Sequence, residues 1–195
     1  HRVIHAPAYE ADGFAPLPDE TVAADILYLC SPNNPTGAVY SREKLQAWVD
    51  YANRQGAVII FDAAYEAFIE DETLPHSIFE IPGSRTCAIE ICSLSKTAGF
   101  TGMRCGYTLI PKELTRDGMC LQAMWVRNRT TKTNGVSYIT QRAAEAVFTP
   151  EGQRQIHESI RVYKQNARVL MAALDQCGIW YCGGQNAPYV WMQCP

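Results

Sequence analysis

Four short apolar runs punctuate the first 110 positions, at residues 25–30, 57–62, 87–92 and 105–110. Each is largely continuous rather than alternating, the pattern of a strand covered on both faces of a sheet. Between the first two, Ser41 stands where a helix cap is needed. Leu45, Trp48, Val49 and Ala52 follow at i, i+3, i+4 and i+7, and Gly56 is placed to end the helix. Strand, helix and strand in that order predict an α/β fold, with a mainly parallel sheet flanked by helices.

A second, longer helix is signalled by Thr149 as cap and Pro150 in the first turn. Its predicted buried stripe is Ile156, Ile160, Tyr163, Ala167, Leu170 and Leu174, and Gly178 stops it. Such a helix runs roughly 40 Å, which suits a strut between domains. The boundary is therefore drawn at residue 150. Residues 1–150 form the later part of a large domain, and 151–195 supply an interdomain helix and the start of a smaller C-terminal domain. The apolar run at 189–192 reads as a strand without its sheet. With His1 in place of Met at the start and Pro195 at the end, the chain reads as a piece of a longer protein.

Composition narrows the function classes. The chain has 195 residues, 47% apolar and 19% charged, which is ordinary for a soluble domain with a full core. Its net charge is −3, with seventeen basic and twenty acidic residues spread along the chain. That argues against nucleic acid and membrane surfaces and for a small-molecule partner. Eight cysteines lie without a C-x-x-C pair, four of them in or beside the apolar runs, and read as reduced, buried thiols. Four scattered histidines show no zinc spacing, so no metal site is expected. No apolar stretch approaches the ~20 residues of a membrane span, and the first residues lack a signal peptide's charged and apolar regions, so the expected location is the cytoplasm. The glycines do not form G-x-G-x-x-G, which sets aside a dinucleotide fold.

In an α/β sheet ligands bind beyond the carboxyl ends of the strands, so the polar residues after each run are the ones to inspect. The first run is followed by Ser-Pro-Asn-Asn-Pro-Thr-Gly at 31–37. The second ends at Asp62, with Tyr65 three residues on, and the third leads into Ser93, Leu94, Ser95 and Lys96. Arg104 comes eight residues later, through a turn broken by Gly99 and Gly102. Singly, each has a plainer reading. Lys96 could be a solvated lysine, Asp62 a helix cap, and 31–37 an ordinary Asn-Pro-Gly turn. Together, an amine able to form an imine, a carboxylate to pair with a pyridinium and a guanidinium to hold a phosphate are the groups that pyridoxal phosphate requires.

The segment 31–37, Asp62 to Tyr65, and Ser93 to Lys96 through Arg104 resemble the class I aminotransferases of the fold-type-I pyridoxal phosphate-dependent transferases. The order and spacing match over roughly residues 25–110. The resemblance implies that residues 1–150 belong to the large cofactor-binding domain. It implies that Lys96 carries the cofactor as an imine and later moves the proton at the substrate carbon. Asp62 then bonds the pyridine nitrogen, Asn34 and Tyr65 the phenolic oxygen, and Ser93 and Arg104 the phosphate. Asn134, before Gly135, resembles a position that reaches the neighbouring subunit's site, so a homodimer is implied, with amino-acid and 2-oxo-acid substrates. Residues 61–69, 74–82, 95–104, 131–136 and 142–148 are similar to the branch of the family that acts on LL-diaminopimelate and 2-oxoglutarate in lysine biosynthesis. A lyase of the same fold, a non-catalytic regulator domain and an inactive remnant are the competing readings.

Overall fold

The structure, a computed structural model, describes residues 2–194; His1 and Pro195 lie outside the described residues. Strand β1 (Ile26–Cys30), helix α1 (Arg42–Gln55), strand β2 (Val58–Asp62) and strand β3 (Ala88–Ser93) form the predicted α/β unit. The strands are parallel in the order β1-β2-β3. The four-residue helix α2 (Leu94–Thr97) leads to β4 (Gly106–Leu109), which joins β3 antiparallel. A minimal hairpin of β5 (Thr115–Arg116) and β6 (Met119–Cys120) follows, then helices α3 (Leu121–Lys132), α4 (Tyr138–Val147) and α5 (Pro150–Cys177). The last pair, β7 (Tyr181–Gly183) and β8 (Val190–Met192), is antiparallel.

Local chemistry sets the ends of α1. The Ser41 hydroxyl accepts the Lys44 N–H at 3.3 Å, and Gly56 adopts φ 69° at the other end, where a side chain would strain the backbone. Leu45, Trp48, Val49 and Ala52 are buried as the spacing requires, and they join Leu29, Ile59, Phe61 and Ala88 in one cluster. This packing holds the sheet from one side and fixes where its strands end.

Four expectations need correction. First, among the described residues the apolar runs are covered on one face only. On the alternate positions Ile26, Tyr28 and Ile91 are 53%, 76% and 40% exposed, because α1 lies against the opposite face. Second, the thiols are not uniformly buried. All eight are free, but only Cys87 and Cys92 are buried, while Cys177 and Cys194 are exposed. Third, the buried stripe of α5 runs Ile156, Ile160, Lys164 and Ala167, with Tyr163 and Leu170 turned outward. Positions 156, 160, 164 and 167 are separated by four, four and three residues, so a stripe continuing from the first two passes through Lys164.

Fourth, the run at 189–192 does have a pairing partner, β7. The hairpin is seated on the loop at 31–37. A Cβ on Gly37 would meet the Gly183 Cα at 2.8 Å, and the Cys182 thiol lies 3.3 Å from the Thr36 carbonyl. Phe14 packs edge-on against Trp180 and Trp191. A second cluster, Tyr65, Phe68, Leu94, Val147, Ile156 and Ile160, joins α5 to the segments that follow β2 and β3.

Because Gly37 combines φ 71° with that close approach, Gly37→Ala is expected to destabilise the protein by at least about 1 kcal/mol. Denaturant unfolding of the complete protein checks this, and an unchanged midpoint would show that the hairpin does not depend on the contact.

Candidate active site

Parallel pairing places the carboxyl ends of β1, β2 and β3 at one edge of the sheet. Cys30 stands opposite Asp62, and Asp62 opposite Ile91. β4 begins at the same edge, with Gly106 opposite Ser93. A Cβ at Gly106 would lie 2.7 Å from the Cys92 carbonyl oxygen, so the absence of a side chain lets the chain return this closely. That return carries Arg104 back beside the α2 segment.

The loop after β1 divides its labour. Ser31 is buried, and its hydroxyl accepts the Tyr40 N–H at 3.1 Å. The Asn33 side chain accepts the Thr36 hydroxyl at 2.9 Å, and the Asn33 carbonyl accepts the Gly37 N–H at 2.8 Å. Ser31, Asn33 and Thr36 thus build the turn, which leaves the exposed Asn34 outside its bonding.

Asp62 is exposed at the last position of β2. One carboxylate oxygen accepts the Ala64 N–H at 3.0 Å, a local turn, and the other makes no hydrogen bond among the described residues. Burial, then the Asp62 charge beside it, raises the pKa of the Cys30 thiol above its ordinary value. Tyr65 is buried just before a 3-10 turn at Glu66–Phe68. Its hydroxyl meets the hydroxyl of Tyr189, and the two rings stand edge-on with centroids 5.0 Å apart. Burial and the bond to Tyr189 push the Tyr65 phenol well above the usual tyrosine value, while the Asn34 amide beside it opposes them. Asn34 and Tyr65 therefore come together.

Lys96 lies in α2 and is exposed. Its ammonium stands 5.8 Å from the centre of the Tyr65 ring and forms no ion pair among the described residues. It borders a cavity of about 670 Å³ that Tyr65, Ile156, Tyr163 and Tyr189 also line; Asp62, Asn34 and Arg104 do not reach it. Arg104 is exposed at φ 55°, an uncommon value for a side-chain-bearing residue, and one guanidinium nitrogen donates to the Thr101 carbonyl at 2.8 Å. Ser93 is half-buried at the end of β3, and its side chain does not cap α2.

Asn34, Asp62, Tyr65, Ser93, Lys96 and Arg104 thus share one sheet edge. Asn134 is exposed after α3, at φ 53°, with its N–H on the Arg129 carbonyl. Two further residues enter the neighbourhood that the sequence reading does not name. Tyr189 hides in a strand-like aromatic run, which gives no signal. Lys164 gives one, a cation on an apolar stripe. It is 3% exposed, and its ammonium donates to the carbonyls of Phe68 and Gln185, with a Glu70 carboxylate oxygen at 3.8 Å. Burial lowers its pKa from the ordinary lysine value, and Glu70 opposes that shift. Among the described residues no cluster is placed to hold a metal ion, and no helix is long and apolar enough to cross a membrane.

Comparison with known proteins agrees with this architecture. The chain is similar to an LL-diaminopimelate aminotransferase of Lawsonia intracellularis, 56% identical over 200 residues, covering 100% of this chain and 48% of the relative. It is 51% identical to the enzyme of that name from Phocaeicola vulgatus, over 99% of this chain and 48% of the relative. The chain spans about half the length of the curated relatives it matches. Among solved structures, the L,L-diaminopimelate aminotransferase of Chlamydomonas reinhardtii superimposes with a TM-score of 0.90 at 40% identity, covering 96% of this chain and 47% of that one. The fold is that of the fold-type-I aminotransferases. Residues 11–195 match the family model for aminotransferase class I and II, and the chain belongs to that family.

Proposed function

We propose that the complete protein transfers an amino group between LL-2,6-diaminopimelate and 2-oxoglutarate, giving tetrahydrodipicolinate and glutamate, with pyridoxal 5'-phosphate as cofactor. The observation that carries this reading is the gathering of Lys96, Asp62 and Tyr65 at one sheet edge in a member of the aminotransferase family. The substrate follows from relatives at 50–56% identity that bear the diaminopimelate name.

The donor set fits the cofactor group by group. Lys96 supplies an amine with no ion-pair partner to displace, and Asp62 supplies a carboxylate with one oxygen outside its local turn. Bound pyridoxal phosphate would contribute a carbonyl that condenses with amines and a ring that accepts the electron pair left when a C–H bond beside the nitrogen breaks. Lys96 would hold that carbonyl carbon, and its amine would remove and return the proton at the substrate carbon. Asp62 would pair with the ring nitrogen and favour its protonated form, since opposite charges in contact favour each other's charged forms. Asn34 and Tyr65 both hold the phenolic oxygen. Ser93 would donate its hydroxyl to the phosphate, and Arg104 would add a planar fork of which, among the described residues, one nitrogen is engaged, on Thr101.

We assign residues 1–150 to the large cofactor-binding domain and 151–195 to the interdomain helix and the beginning of the small one. We assign Asn134 to the second site of a homodimer in the cytoplasm.

Three measurements on the complete protein test the reading. Purified with cofactor, it should show visible absorbance that disappears in Lys96→Ala; absorbance that survives the substitution removes Lys96 from its role. Asp62→Asn should retain cofactor yet lose turnover by on the order of a hundredfold or more, and a near-normal rate would exclude Asp62 from the mechanism. Incubation with LL-diaminopimelate and 2-oxoglutarate should produce glutamate. Release of pyruvate or ammonia without glutamate would identify a lyase instead.

A further inference from the structure

One buried ammonium joins two segments that are far apart in sequence and carry the two phenols of the site. Lys164, 3% exposed on α5, donates to the Phe68 carbonyl, three residues after Tyr65, and to the Gln185 carbonyl, four residues before Tyr189. The neighbouring stripe positions are Ile156, Ile160 and Ala167, so packing alone asks for an apolar side chain at 164. Burying an ammonium costs several kcal/mol unless its donors are met, and here two carbonyls and the Glu70 carboxylate meet them.

A second tie joins the same two segments. The Asn186 side-chain oxygen accepts the N–H groups of Glu70 and Asp71 at 2.9 and 3.2 Å. Both ties lie on one side of the point where the Tyr65 and Tyr189 hydroxyls meet, three to six residues after Tyr65 and three or four before Tyr189. Tyr65 is further tethered to the clasped segment by its carbonyl, which accepts the Phe68 N–H at 3.0 Å.

We propose that Lys164 and Asn186 form a clasp that positions Tyr189 against Tyr65, making Tyr189 a positioning residue for the cofactor's phenolic oxygen. The proposal rests on the assignment of Tyr65 to that oxygen. Either hydroxyl of the pair can be the donor: with Tyr65 donating to Tyr189 its phenol is held up, but when Tyr65 instead donates to the cofactor its oxygen is left to accept from Tyr189, and a phenol that accepts a hydrogen bond is the stronger donor. The clasp thereby sets the pH at which the cofactor-linked imine loses its proton. Lys96 beside the Tyr65 ring and the Cys30 thiol are the other ionisable groups at this contact, and Glu70 and Arg168 flank Lys164. The substitutions below leave all four in place.

The test titrates the visible absorbance of the complete, cofactor-loaded protein against pH. Loss of the Tyr189 hydroxyl weakens Tyr65 as a donor to the deprotonated form, so Tyr189→Phe should raise the midpoint by roughly half to one unit. Lys164→Met should raise it in the same direction, and the double variant should rise no further than the larger single shift. A midpoint unmoved in Lys164→Met but raised in Tyr189→Phe would reduce Lys164 to a packing role, whatever its effect on the melting temperature. An unmoved midpoint in Tyr189→Phe would overturn the proposal. If Lys164→Met does not fold, Asn186→Ala decides: a raised midpoint supports the clasp, and an unmoved one overturns it. Tyr65→Phe separates the two levels, because absorbance with an unmoved midpoint there withdraws Tyr65 from the cofactor and the clasp's role with it.

Discussion

In-register parallel pairing of β1, β2 and β3 is the constraint from which the site follows. With Cys30 opposite Asp62 and Asp62 opposite Ile91, residues more than sixty positions apart in the chain finish their strands at a common edge. Slipping one strand by a single residue would exchange its buried and exposed side chains, since successive residues point to opposite faces. The packing of Leu45, Trp48, Val49 and Ala52 against Ile59 and Phe61 resists that slip. The charged edge is thus held by apolar contacts that take no part in its chemistry.

Within that frame neighbouring residues hold different duties. Asn33 and Thr36 close the turn after β1, and Asn34 stays outside it. Asp62 makes a local turn with one oxygen, which leaves the other for the bond proposed to the ring nitrogen. Gly106 permits the close return that brings Arg104 to the edge. Local structure and proposed chemistry draw on the same short segments, which accounts for their density in Asn, Pro, Gly and Ser.

Much of this is legible without coordinates, because it depends on local rules. The caps at Ser41, Gly56, Thr149 and Gly178 define α1 and α5, and the four apolar runs define the sheet to within a residue or two. What escapes the sequence is long-range. Continuous apolar runs show that a strand's two faces are both greasy, but not which element covers the second, and here one face stays open. The α5 stripe is drawn through Tyr163 because a lysine looks like a surface residue, yet burial at 164 becomes tolerable once two distant carbonyls receive its protons. Tyr189 enters the site only because the β7–β8 hairpin folds back onto the loop after β1. The pairings themselves leave no trace in spacing, although the cation at 164 on an otherwise apolar stripe marks one end of them.

The central claim is that Lys96, among the lysines of this chain, bears the cofactor. Borohydride reduction of the complete protein in the presence of pyridoxal 5'-phosphate, followed by peptide mass spectrometry, addresses it directly. The account predicts a single dominant phosphopyridoxyl modification, on the peptide containing Lys96. A modification placed mainly on another lysine, or none above the level of a denatured control, would contradict it.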